Sequence, residues 1–282
     1  MKIFITGASG YIGRHVALEL LSRGHDIVGM ARRQSPRTEY SDAVEWCFAD
    51  LSDHESYQGV SESCDAVVHC AMDYSQAGSE NFEMDAAFVR RFAGSDQHFV
   101  YTGNLFSPRK DPTSVLNESQ IQDGFDWRFE NENLVLGSLQ NSAVIRLGFV
   151  YGENGGYLFD ILSPGTVFGL DVEDLPDVRW PMIHVRDVAT LYADVLERKA
   201  TGIFHAYDGC VNSAREIIES VIEVYRSRGI QSADAHDYVQ RLLQSSIVTT
   251  NSRSLAAGWT PGYKSFSDQA DQAFEQLEGL AS

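Results

Sequence analysis

Basic side chains are scarce in this sequence: 22 lysines and arginines stand against 40 aspartates and glutamates, a formal net charge of −18 over 282 residues. No broad basic surface can form to grip a nucleic-acid backbone or an anionic lipid layer, so neither nucleic acid nor membrane is an expected partner. Cysteine is sparse too. Cys47, Cys64, Cys70 and Cys210 show no CxxC spacing, which argues against a zinc site or a disulfide framework and suits a reducing compartment. No apolar run approaches the ~20 residues of a membrane-spanning helix. The opening MKIFITGASG lacks the basic segment, long apolar core and cleavage site of a secretory signal, so a cytoplasmic protein without a bound metal is expected.

What is present is a strand–turn–helix alternation. Lys2 to Thr6 is a short apolar, β-rich run, and Gly7 to Gly13 punctuate a turn. Tyr11 to Arg23 then places Ile12, Val16, Leu20 and Leu21 on one helix face before Gly24 stops it. Asp26 to Ala31 is the next apolar run, completing a βαβ unit. Further runs recur at Ala66–Cys70, His98–Thr102, Ser142–Val150 and Gly202–Tyr207, with room for helices between them. Strands alternating with helices predict an α/β fold built on a parallel sheet covered on both faces. Helices are expected at about Asp126–Leu139, Asp187–Glu197, Ser213–Arg228 and Ser267–Leu277, with Ser213 and Glu216 forming a capping box. Ser107–Gln122 and Gly152–Pro181 read as irregular segments of the kind that shape clefts.

The spacing Gly7-x-x-Gly10-x-x-Gly13 falls between the first strand and the first helix. Glycines there allow a tight turn and close approach of backbone to a pyrophosphate, while the helix start offers free N–H groups. The second strand runs into Met30-Ala31-Arg32-Arg33. An acid at that strand end would hold the ribose hydroxyl of NAD, whereas an arginine pairs with the 2′-phosphate of NADP. NADP(H) is therefore favoured, through Arg32 and Arg33, with NAD(H) as the alternative.

These residues resemble the extended short-chain dehydrogenase/reductase family, the NAD-dependent epimerase/dehydratase type. Thr6-Gly7-Ala8-Ser9-Gly10-Tyr11-Ile12-Gly13 matches its TGAxGxxG turn, so Ser9, Tyr11 and Ile12 join the three glycines as expected cofactor contacts. Asp50-Leu51 is similar to the pair that holds the adenine. Val67-Val68-His69-Cys70-Ala71 resembles the fourth-strand segment along the cofactor, which implies contacts from Cys70 and Ala71. Arg146 to Gly152 resembles the RPGxVYG segment near the nicotinamide, with Leu147 in place of proline, and implies contacts from Phe149 and Val150. Met182 to Ala189 resembles the HVxDVA helix start. The resemblance implies a Rossmann doubly wound parallel sheet with a smaller C-terminal substrate lobe. The Rossmann core would span 1–151, with 184–207 returning to it, and the lobe would comprise 152–183 and 208–282. It also allows a homodimer through the helices near Glu83–Ala93 and Asp126–Leu139.

The family's chemistry uses a tyrosine, a lysine four residues later and a serine or threonine at the preceding strand end. Between Tyr101 and Tyr151 there is no tyrosine, and the only lysine is Lys110. Setting Glu132 on the family's glutamate puts Gly124 at the tyrosine and Arg128 at the lysine, while Asn104, with Thr102 nearby, falls at the serine. Arg128 could hold the nicotinamide ribose and Asn104 could donate to a substrate oxygen. A replacement proton donor is sought among Tyr74, Asp73, Cys70, His69, Tyr151 and Tyr157, with Tyr74 first because it follows the fourth strand. His69, His184 and Asp187 are read as structural, Arg186 as surface, and Trp127 and Trp180 as packing. Three functions follow: an NADP-dependent oxidoreductase on a small carbonyl, imine or conjugated substrate; a non-redox epimerase, dehydratase or isomerase; or a catalytically silent NADP(H) sensor.

Overall fold

A computed structural model describes residues 1–32, 41–72, 78–105, 115–119, 127–153, 155–156, 158, 161–230, 242–243 and 246–274. Its strands are β1 (Lys2–Thr6), β2 (Asp26–Ala31), β3 (Val44–Phe48), β4 (Ala66–His69), β5 (His98–Asn104), β6 (Ser142–Leu147), β7 (Phe149–Tyr151), β8 (Arg179–Trp180), β9 (Met182–His184), β10 (Gly202–Ala206) and β11 (Asn212–Ser213). The helices are α1 (Tyr11–Ser22), α2 (Gln58–Glu62), α3 (Gly78–Arg90), α4 (Trp127–Ser138), α5 (Pro164–Phe168), α6 (Val185–Glu197), α7 (Ala214–Ser227), α8 (Ser252–Ala256) and α9 (Phe266–Phe274).

Seven strands form one parallel sheet in the order β10-β6-β5-β4-β1-β2-β3. The order turns back on itself between β1 and β4, which opens a crevice at the carboxyl ends of those strands, where ligands of doubly wound sheets bind. Thr6 is level with both Met30 and His69, so three strands end together at that crevice. The doubly wound fold expected from the sequence is the fold observed.

Burial on both faces explains why the strands read as continuous apolar runs. One face packs Ile3, Ile5, Val68 and Ile145 beneath Val16 and Leu20 of α1 and Val188, Leu191 and Tyr192 of α6. The other packs Phe4, Val67, Phe99 and Tyr101 beneath Phe88 and Val89 of α3 and Val135 of α4. Each fully buried Leu, Val or Phe adds about 1.5–3 kcal/mol. A further cluster gathers Phe149, Trp180 and Met182 with Ile217, Val221 and Tyr225 of α7 and Phe266 of α9. In α7 the expected capping box is present: Ser213 Oγ accepts from Glu216 N at 3.1 Å, and Ser213 N donates to Glu216 Oε2 at 3.0 Å.

Two local details differ from the sequence reading. The single run Ser142–Val150 is two strands, because Gly148 leaves the sheet: its N–H still donates to Ala206 O at 3.1 Å, but Phe149 N turns to Pro181 O at 2.7 Å. A Cβ at Gly148 would lie 2.6 Å from that same Pro181 oxygen, so the crossing requires glycine. Strand β3 was not anticipated. It is one edge of the sheet, and with Glu45 and Phe48 exposed its apolar run is broken, unlike that of β10 at the other edge.

Candidate functional site

The turn after β1 is shaped by contact with the start of the next crevice wall. Gly7 sits at φ +66°, a left-handed backbone, and a Cβ on it would lie 2.9 Å from the Cα and N of Ala71. A Cβ at Gly13 would overlap the carbonyl oxygen of Gly7, and Gly10 N donates to that oxygen at 2.8 Å. Helix α1 starts from Gly10 without a side-chain cap and with no acid in its first turn. The positive end of the helix and its first-turn amides therefore face the crevice with no carboxylate of their own, which suits an anion. Ser9 and Gly10 are exposed there. Ile12 packs against the sheet core, and the Tyr11 hydroxyl donates to Gly152 O at 2.6 Å, so both would serve a ligand through the backbone. A dinucleotide fits this cradle.

Around it, Arg32 is exposed directly after β2. Asp50 follows β3 and accepts from Ser52 N and Oγ at 2.9 and 2.7 Å, which fixes its loop, while Leu51 packs on the core. Phe149 is buried with its ring edge-on to Trp180 at 5.2 Å, and Val150 is half-buried. Arg33, Asp73, Tyr74, Lys110, Gly124 and Tyr157 lie outside the described residues.

At the ends of β4 and β5 the structure brings Cys70, Thr102 and a residue the sequence reading did not single out, Tyr192. Thr102 Oγ1 donates to Cys70 Sγ at 3.3 Å and lies 2.6 Å from the Tyr192 hydroxyl, which accordingly donates to Thr102. Burial pushes the Cys70 thiol up to about 11 and the Tyr192 phenol well above its usual range. Both keep their protons, and the Thr102 hydrogen is already committed. Asn104, two residues on, has a buried Oδ1 with no hydrogen-bond partner among the described residues. The Arg128 guanidinium donates to Met72 Sδ at 3.1 Å and lies 4.6 Å from the Trp127 ring centre.

The residues read as structural have identifiable contacts. His184 caps α6 by accepting from Arg186 N at 3.2 Å and stacks on Tyr263 with ring centres 3.8 Å apart. Burial, aided by Arg186, pushes it down to about 4, so it caps as a neutral ring. Asp187 accepts from Gly262 N and Tyr263 N at 2.8 and 2.9 Å, tying the C-terminal segment to α6. Arg186 is exposed and pairs with Glu153 at 2.5 Å. Tyr151 is fully buried, its hydroxyl without a partner among the described residues, and burial raises its phenol far above the normal range.

Asp208 also escaped the sequence reading. It follows β10, where Oδ1 accepts from Cys210 N at 2.8 Å while Oδ2 is buried without a hydrogen bond among the described residues. Burial pushes this carboxyl up to about 7, against slight relief from its hydrogen bonds. A raised acid stabilises the fold below its unfolded value near 4 and loses that contribution as pH climbs through 7. Asp208→Asn should therefore remove a decline in stability between pH 4 and pH 7 worth at most a few kcal/mol. The check is urea denaturation of both proteins across that range, which would show parallel curves if Asp208 were ordinary. Only the rule that buried polar groups need partners could have drawn attention to Tyr192 and Asp208, because their neighbours come from distant segments.

Among the described residues no group of three or more His, Cys, Asp or Glu side chains could hold a metal, and no helix is long and apolar enough to cross a membrane. The profile of the NAD dependent epimerase/dehydratase family matches residues 3–97. The uncharacterized protein YLL056C of Saccharomyces cerevisiae is 30% identical over 227 residues, covering 73% of this chain and 74% of that protein. Cinnamoyl-CoA reductase 1 of Arabidopsis thaliana is 28% identical over 138 residues, 43% of this chain and 40% of the reductase. Among solved structures, human epimerase family protein SDR39U1 with NADPH superposes with a TM-score of 0.73 at 17% identity, covering 98% of this chain and 100% of that one. UDP-glucose 4-epimerase of Thermus thermophilus in complex with NAD superposes with a TM-score of 0.74 at 19% identity, covering 99% of both chains. With a glycine cradle at the switch point of a seven-stranded parallel sheet and these similarities in sequence and fold, the chain belongs to the NAD(P)-binding epimerase/dehydratase family of extended short-chain dehydrogenases/reductases.

Proposed function

We propose that the chain binds NADP(H) across the β1–β4 crevice and reduces a small carbonyl, imine or conjugated substrate without the family's usual tyrosine–lysine pair. The observation that carries this reading is the uncapped start of α1, pressed by Gly7 against Ala71, at the crevice beside the ends of β4 and β5. Arg32, exposed at the tip of β2 where the sequence Met30-Ala31-Arg32-Arg33 carries no acid, supports the phosphorylated cofactor. The human neighbour's NADPH agrees with that preference, while the bacterial epimerase's NAD is the competing precedent.

When bound, the nicotinamide supplies or accepts a hydride. The chain's own part is electrostatic: as negative charge develops on the substrate oxygen, the Arg128 cation and the Asn104 amide are the groups to receive it. Thr102 is spoken for by Cys70 and Tyr192, and burial holds the Tyr192 phenol well above its usual range. Water then delivers the proton, which an activated alkene or iminium tolerates because its reduction is not tied to simultaneous protonation. A diphosphate-bearing substrate is disfavoured, because Arg179 pairs with Asp177 at 2.8 Å and Arg215 donates to the carbonyls of Glu173 and Leu175 at 3.0 Å.

Purified protein should oxidise NADPH, followed by absorbance loss, with at least one member of a panel of neutral aldehydes, enones and cyclic imines. Arg128→Ala should lower kcat/KM about a hundredfold, and Arg128→Lys should recover part of it. The committed Thr102 hydroxyl favours one second reading, a silent sensor of the NADP(H) pool. Tight NADPH binding with no consumption across the panel would replace the enzyme reading with that one.

A further inference from the structure

A connected set of buried polar side chains runs from the dinucleotide turn to the helices behind the sheet. Thr6 ends β1, and its Oγ1 accepts from Ala71 N at 3.2 Å and meets His69 Nδ1 at 2.8 Å. Asp85 Oδ1 lies 3.3 Å from His69 Nε2, an electrostatic contact rather than an aligned hydrogen bond, and a carboxylate on that side favours the ring proton on Nε2, which leaves Nδ1 to accept from the Thr6 hydroxyl. Asp85 Oδ2 accepts from the Tyr101 hydroxyl at 2.9 Å. All four residues are at most 5% exposed, and the His69 ring stacks on Phe88 at 4.5 Å, which fixes its plane.

The far end of this chain has no role in the site as described above. Its near end does: Ala71 is the residue against which Gly7 is pressed, and the Thr6 hydroxyl holds the Ala71 amide in that place. A buried carboxylate without any partner would be costly. Here it orients the imidazole, the imidazole orients the threonine, and the threonine sets the distance between the two walls of the crevice. We propose that His69 and Asp85 are positioning residues for the cofactor: acting through Thr6, they hold Ala71 against the glycine turn so that the pyrophosphate cradle is formed before the ligand arrives. This inference rests on the cofactor reading above and adds the residues that tune its affinity.

Titration calorimetry with NADPH, run beside melting curves of the ligand-free proteins, tests it. Thr6→Val and Asp85→Asn should each weaken binding about tenfold, whereas Thr6→Ser, which keeps the hydroxyl, should stay within about twofold of wild type. Thr6 and Asp85 do not touch but share His69 as a partner, and side chains in one network give effects that do not add. The double variant should therefore bind about as well as either single one, because each breaks the same chain. Should Asp85→Asn fail to fold, Tyr101→Phe removes one hydrogen bond from the same carboxylate and should weaken binding about threefold. Variant affinities within twofold of wild type, effects that simply multiply, or losses that follow the melting temperatures would overturn the positioning role while leaving the cofactor reading intact. A wild-type protein that binds no dinucleotide would overturn both.

Discussion

Gly13→Ala is expected to abolish measurable NADPH binding, a loss of at least about a hundredfold, and to lower stability by roughly 1–3 kcal/mol. The new methyl would overlap the Gly7 carbonyl oxygen and stand 2.8 Å from its carbon. Backbone cannot yield there without moving the turn away from Ala71, which already touches the place a Gly7 side chain would take. The first-turn amides of α1 would then lose their aim at the phosphates, so affinity should fall further than stability. Gly59→Ala is the control: nothing lies within 4 Å of its added methyl, and it should leave binding unchanged. Fluorescence titration with NADPH and urea denaturation check both substitutions. Equal binding by the Gly13 and Gly59 variants would remove the turn from the cofactor site.

Glu132→Gln should have the largest effect on stability, about 3–5 kcal/mol. Glu132 of α4 and Arg146 of β6 are almost wholly buried, and Arg146 Nε donates to Glu132 Oε2 at 2.7 Å, with its guanidinium 5.5 Å from the Phe129 ring centre. Neutralising the acid removes the carboxylate that Arg146 Nε faces in the interior, and desolvation makes that cost larger than the pair's own net contribution. Arg146→Met should be comparably destabilising for the converse reason. Joining Arg146→Met to Glu132→Leu should cost less than the sum of the two single changes, because no orphaned charge remains. Gly103 belongs to the same arrangement, since any Cβ on it would overlap Glu132 Oε1. The pair fastens α4 to the sheet one turn beyond Arg128, so the Glu132 variant should also weaken whatever Arg128 contributes to turnover.

What could be read in the sequence was local. The β1–turn–α1 unit, the capping box at Ser213 and the helix ending at Glu197 each declare themselves within a few residues, through glycine spacing, cap chemistry and a single apolar face. Strand β3 did not, because an edge strand with exposed Glu45 and Phe48 has no unbroken apolar run. The split at Gly148 depends on Pro181, which lies 33 positions downstream and is invisible to any window of neighbouring residues. The cofactor turn was legible because phosphate binding uses backbone, and glycine spacing reports backbone directly. The neighbourhood of Thr102 was not. Tyr192 reaches it from 90 positions away, and a buried tyrosine on an apolar helix stripe carries no mark of which hydroxyl it meets. Asp208 is likewise an unremarkable acid until the fold encloses it.

That contrast also bears on chemistry. Motif comparison gave Asn104 and Arg128 the places of a serine and a lysine, and the structure sets the Arg128 guanidinium against Met72 and Trp127. It adds that Thr102, the other hydroxyl at that strand end, already spends its proton on Cys70. With no tyrosine between Tyr101 and Tyr151 and the Thr102 hydroxyl engaged, the described groups are better placed to stabilise charge than to donate a proton, which is why hydride addition to an already polarised substrate is the reaction proposed.

The central claim is that the start of α1 holds a nicotinamide dinucleotide, and titration calorimetry with NADPH, NADP, NADH and NAD tests it most directly. Saturable binding of one dinucleotide per chain is expected, tighter for the two phosphorylated forms, with that advantage lost in Arg32→Glu. Absence of heat with all four ligands, together with unchanged melting temperatures in their presence, would contradict it.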